Sequence, residues 1–118
     1  ANSLHCGSSP AEAKALGCQY DVMIGSWLPA PCHDAELMEE YLKEANFKWY
    51  SDPDFQHEIP IEMMRAGDHG KIYTTEQEHT LHCSYVWVKQ MRAVMNRKPM
   101  DDLSARYNHT RHCAGTIV

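Results

Sequence analysis

The feature that most constrains this chain is a five-residue motif that occurs twice, thirty residues apart. His79-Thr80-Leu81-His82-Cys83 and His109-Thr110-Arg111-His112-Cys113 agree at four of five positions. On an α-helix, positions i, i+3 and i+4 share one face. Each copy therefore offers two imidazoles and one sulfur to the same side of a predicted helix. Packed antiparallel after a break at Pro99, two such helices gather four imidazoles and set Cys83 near Cys113. A single His-x-x-His is usually a hydrogen-bonded core pair. Two matching copies that use half of the eight histidines and end on equivalent cysteines point to a metal.

Two ligand sets follow. In the first, Cys83 and Cys113 are thiolates and the centre is a closed Cys/His zinc site. In the second, they form a disulfide that pins the helices and is worth roughly 3–4 kcal/mol by loop closure. That leaves His79, His82, His109 and His112 as an all-imidazole set, suited to copper (one or two ions) or to zinc, with tetragonal nitrogen ligation favouring Cu(II). The five cysteines are odd in number and include no Cys-x-x-Cys pair. This usage fits an oxidising compartment and favours the second set. Cys6, Cys18 and Cys32 then supply one further disulfide and one free thiol. Cys18–Cys32 would brace the loop that carries Trp27, and Cys6–Cys18 is the other pairing.

The rest of the chain reads as one mainly α-helical domain, 1–118, with a small β-hairpin. Ser8-Ser9-Pro10 caps a short helix over 11–16 that Gly17 stops. An ordered loop from Cys18 to Cys32 holds Trp27 against the core. Asp34 caps a helix over 35–45 that buries Leu37, Met38, Tyr41 and Leu42. Segments 59–64 and 71–75 read as the hairpin, joined by a glycine-bearing loop. Thr75-x-x-Glu78 is a capping-box signature that opens the longest helix, to about Arg97. Asp101 or Asp102 caps a last helix that Gly115 ends. The expectation is a compact helical domain whose two motif-bearing helices pack together and are cross-linked.

Composition excludes several classes. A length of 118 residues supports one modest core. A net charge of −5, without a basic run, argues against nucleic acid as a partner. No run of 18 apolar residues offers a membrane span. The sequence contains no charged-then-apolar leader, and its start at Ala1 reads as a mature or trimmed N-terminus. The Asn108-His109-Thr110 sequon suits secretion but overlaps a candidate ligand, and we read it as unused. There is no nucleophile elbow, phosphate loop or dinucleotide fingerprint.

The motifs Glu78-His-Thr-Leu-His-Cys83 and Asn108-His-Thr-Arg-His-Cys113 resemble those of the fungal UstYa-like family, the ustiloxin-type oxidases of secondary-metabolite clusters. The resemblance covers mainly the last forty residues or so. It implies a lumenal domain behind a single N-terminal membrane anchor, so that this chain resides in the secretory lumen or is secreted. It also implies copper-dependent oxidative cyclisation of peptides, or hydroxylation or halogenation at unactivated carbons. The segment from Cys6 to Cys18, with Trp27 and Cys32-His-Asp-Ala-Glu-Leu37, is similar to a related branch of fungal membrane-anchored proteins. One departure concerns the substrate. Many of the oxidases follow the second motif with a carboxylate and a Leu-Arg-Gln run, where this chain has Ala114-Gly115-Thr116-Ile117-Val118.

Other residues have simpler readings. His33, His57 and His69 fall in predicted loops, where a surface role is the default. His57 beside Glu58 is the first choice to complete a coordination sphere. Trp87 is expected in the core, as are Met63, Met64, Met91, Met95 and Met100, at helical and strand spacing. Arg111 suits an exposed helix position or an anion contact. The functional expectation is a copper oxidase-type enzyme with His79, His82, His109 and His112 as catalytic metal ligands. Dioxygen or peroxide would bind at an open position, and the substrate would be a small metabolite or peptide. The alternatives are a metal-stapled binding module and a metal-free cyclase- or isomerase-like descendant. A homo-oligomer is compatible with each.

Overall fold

A computed structural model describes residues 5–118. Helix α1 (Pro10–Ala15) begins where the Ser9 hydroxyl accepts the Glu12 N–H and Pro10 takes the first turn. The chain then doubles back, with the Cys18 N–H donating to the Ala13 carbonyl, and Cys6 and Cys18 are joined by a disulfide across α1. Strands β1 (Gln19–Asp21) and β2 (Ser26–Leu28) form an antiparallel hairpin that pairs Tyr20 with Trp27. Its tip is buried: Val22, Met23 and Ile24 all belong to the core. A 3-10 turn (Ala30–Cys32) leads to α2 (Ala35–Glu44), capped by the Asp34 carboxylate on the Leu37 N–H.

Strand β3 (Trp49–Tyr50) pairs antiparallel with β4 (Glu58–Ile59), and α3 (Ile61–Ala66) follows directly. The long helix α4 (Glu76–Met95) spans the molecule, and α5 (Asp102–Ala105) and α6 (Tyr107–Ile117) return along it. The core lies between the buried hairpin tip, α2 and α4, where Leu37, Met38 and Tyr41 meet Tyr85 and Val86. The mainly helical class and the packing of the two motif-bearing helices are as expected.

Several local expectations are corrected. Residues 61–66 are helical, because Pro60 lacks a ladder donor and instead offers its carbonyl to the Met63 and Met64 N–H groups. Gly67 ends α3 at φ 73°, and a Cβ there would stand 2.6 Å from Trp27. Of the segment 71–75, Tyr73 alone makes a bridge, and its partner is Tyr50. The capping box at Thr75 does not form: the Thr75 hydroxyl has no partner among the described residues, and Glu78 accepts the Tyr41 hydroxyl instead, at 3.1 Å. The last helix breaks at Arg106, which is extended, and then runs through Gly115 to Ile117.

The expected Cys18–Cys32 disulfide is also corrected. Cys18 pairs with Cys6 at a Cα separation of 6.0 Å, within the normal range, while Cys32 is a buried free thiol. The reason is the reversal around α1, which brings Cys6 beside Cys18. Cys32 is drawn instead toward α4, where its carbonyl accepts Lys89 Nζ at 2.8 Å. Burial pushes the Cys32 thiol pKa up.

Candidate metal centre

Helix α4 carries the first motif on an uninterrupted stretch of twenty residues without Gly or Pro. Helix α6 carries the second. Cys83 and Cys113, both buried, are joined by a disulfide with a Cα separation of 4.9 Å. The imidazoles meet in two pairs. His79 Nε2 lies 2.9 Å from His112 Nε2, and His82 Nε2 lies 3.3 Å from His109 Nε2. The earlier histidine of one motif meets the later histidine of the other, as antiparallel helices require. All four histidines singled out by the repeat are thus brought to one seam beside the disulfide.

His82 is the most tightly held. Its Nδ1 lies 2.6 Å from the Met23 carbonyl at the tip of the buried hairpin. A carbonyl can only accept, so Nδ1 carries the proton and a neutral ring presents a lone pair at Nε2. The hairpin tip is itself fixed by Asp21, which is fully buried. Asp21 Oδ1 accepts the Ile24 N–H at 2.9 Å, and Oδ2 faces His33 Nδ1 at 3.2 Å. Gly25 closes the turn at φ 83°, donating to the Asp21 carbonyl. Burial pushes the His82 pKa down, against the opposing effect of the Met23 hydrogen bond. Burial also lowers His109, assisted by the neighbouring His82 and His112 rings. Both rings are therefore biased toward the neutral, ligating form.

The sulfurs stand aside from this set. Ligand atoms of His82, His109 and Cys113 lie within 4.8 Å of one another, yet Cys113 Sγ is bonded to Cys83. A thiolate is offered only after reduction. His33, His57 and His69 stay away from the seam. His57 is held near Asp52 in an exposed loop, His69 stacks edge-on against Tyr20, and His33 faces Asp21. Arg111 donates to the Tyr107 hydroxyl on the surface.

Sequence reasoning missed Met23, Asp21 and the Tyr41–Glu78 contact. A backbone acceptor has no side-chain signature. The Asp21-Val-Met-Ile-Gly25 turn was readable as an Asx-type turn, but not its target. Glu78 is half-buried beside Tyr41, and burial raises the pKa of both groups.

No family model matches this sequence, and no solved structure matches it. Two curated relatives do: the phomopsin biosynthesis cluster proteins B and B′ of Diaporthe leptostromiformis, each 30% identical over 123 aligned residues. The match covers 96% of this chain and 36% of each relative. The chain thus spans about a third of the length of the relatives it matches. The aligned region extends well beyond the two motifs, since it takes in nearly the whole chain. Among the described residues, no helix is long and apolar enough to cross a membrane.

Proposed function

We propose that this chain is a copper-binding oxidase-type domain of fungal secondary metabolism, of the UstYa-like kind. Its ligands are the Nε2 atoms of His79, His82, His109 and His112. The observation that carries this reading is the pairing of all four imidazoles, nitrogen to nitrogen, across two disulfide-linked helices. Two nitrogens about 2.0 Å from one ion, at angles between square and tetrahedral, stand roughly 2.8–3.3 Å apart. Each pair's own separation falls in that range, and the four rings meet as two pairs, with His82 and His109 grouped apart from His79 and His112. An all-imidazole donor set with its cysteines oxidised suits copper, and Met23 fixes the tautomer that ligation needs.

Bound copper would supply one-electron chemistry with dioxygen or peroxide at a C–H bond. The chain's own residues do the rest. The disulfide holds α4 and α6 at a set separation, Met23 and Asp21 orient His82, and His79 with His112 face solvent, where a peptide or small metabolite can approach. The similarity to phomopsin cluster proteins supports a biosynthetic role, and the two disulfides support a lumenal or secreted setting.

Metal analysis and electron paramagnetic resonance of the purified protein test the reading. We expect bound copper with a Cu(II) spectrum free of intense thiolate charge transfer. His82→Ala and His112→Ala should each lose copper, while their melting temperature in chelator stays close to that of the chelated parent. Stoichiometric zinc retained against excess copper, or a parent that unfolds when stripped of metal, would overturn it. The second reading, a zinc-stapled binding module, is favoured by the closeness of Cys113 to His82 and His109. It requires the Cys83–Cys113 bond to be reduced.

A further inference from the structure

Helix α4 has a second face that its histidines do not use. Trp87, Val88, Met91, Val94 and Met95 are exposed by 67, 44, 60, 65 and 69%, respectively. The core role expected of Trp87, Met91 and Met95 is therefore corrected: their helical spacing gives them one face, but no other element among the described residues covers it. Met63 is likewise exposed, and only Met64 of that pair is buried. The two charged residues between 87 and 95 turn the other way. Lys89 pairs with Asp101, and Arg92 pairs with Asp34. What faces outward along this stretch is uncharged and apolar, rich in the Trp and Met that interface cores favour.

The pattern is symmetric about Met91. Position 87 mirrors 95, 88 mirrors 94, and 91 mirrors itself. Two copies of α4 laid antiparallel around a two-fold axis at Met91 would set Trp87 and Val88 of one copy against Val94 and Met95 of the other. Met91 would meet its own counterpart. Such self-complementarity is what an isologous dimer interface needs, and the Trp–Met contacts add sulfur–aromatic attraction. The exposed area of the stripe is roughly 600 Å² per copy, or on the order of 1,200 Å² for two, which reaches the size of stable interfaces.

We infer that this chain pairs with a second copy of itself through the 87–95 face of α4. His82 lies on the opposite side of the helix and His79 about a third of a turn from Met91, so the pairing leaves the histidine seam open. It does not depend on any metal.

Sedimentation velocity over a range of protein concentrations tests this directly. The parent should show a monomer–dimer equilibrium. Met91→Glu, which brings two carboxylates together at the two-fold axis, should weaken it by roughly 100-fold with an unchanged far-ultraviolet dichroism spectrum. Met91→Cys should cross-link to its counterpart under mild oxidation, giving a doubled mass that reductant removes. Glu62→Cys, exposed on α3, should not. A parent that stays monomeric at high micromolar concentration would overturn the inference. So would a Met91→Cys protein that fails to cross-link, or a monomer that uses this face to bind neutral phosphatidylcholine vesicles.

Discussion

Removing the Asp101 carboxylate should cost this small domain a large share of its stability. Lys89 and Asp101 are each only 2% exposed, and Nζ lies 2.6 Å from Oδ1. Lys89 has one further acceptor, the Cys32 carbonyl, and Asp101 also caps α5 through the Ser104 N–H at 2.9 Å. Asp101→Ala would therefore leave a buried ammonium with a single neutral partner and a helix start without its cap. Breaking a buried pair from one side costs about 3–5 kcal/mol, and the lost cap adds roughly 1 more. For a domain of this size that is a fall in melting temperature of roughly 10–25 °C. Lys89→Met combined with Asp101→Asn removes both charges and retains a capping oxygen, so it should recover most of the loss.

The pair also has a pH signature. Burial alone would raise the Asp101 carboxyl, but the Lys89 ammonium and the Ser104 N–H outweigh it and hold the pKa below the ordinary carboxylate range. Its contribution is therefore present above about pH 4, the unfolded value, and is lost as pH falls through the lower native value. Thermal denaturation with chelator, without reductant, measures all of this. A cost for Asp101→Ala below about 1 kcal/mol, as for a solvent-screened pair, would refute the reasoning. A double variant no more stable than Asp101→Ala would do so too.

Two further outcomes follow from the site and the fold. On the proposed copper reading, Asp21→Asn should loosen the hairpin tip that orients His82 and lower copper affinity by roughly 10–100-fold in competition titrations while the domain stays folded; an unchanged affinity would dismiss Asp21 as a support of the site. Gly67→Ala should lower the urea midpoint, since the new Cβ would stand 2.6 Å from Trp27 and 2.7 Å from Tyr20 at φ 73°; a neutral result would mean that the Tyr20–Trp27 packing yields more easily than described.

The arrangement divides α4 by function along its length as well as around its circumference. Its first half supplies the histidines and the cysteine that meet α6. Its second half anchors Lys89 and Arg92 inward and exposes the apolar stripe. The buried ion pair joins these regions, because Asp101 starts the segment that returns α6 to the histidine seam. Loss of that anchor should therefore be felt at the site as well as in stability.

The amino-acid order by itself determined what depends on neighbours within one or two turns. Ser9, Asp34 and Asp101 cap helices because their side chains reach N–H groups three residues ahead. The motif repeat places two imidazoles and a sulfur on one side of each helix, because i, i+3 and i+4 share a face. From that, the Cys83–Cys113 bond was legible. Tertiary structure alone decided which partners those faces meet. Cys18 bonds Cys6 because α1 folds back on itself, and Glu78 leaves its capping role because Tyr41 arrives from α2. Met23, fifty-nine residues away in sequence, fixes the His82 tautomer through a backbone atom that no residue pattern reports. The periodicity of Trp87, Met91 and Met95 shows that they share a helix face, but whether that face is covered depends on where every other element packs.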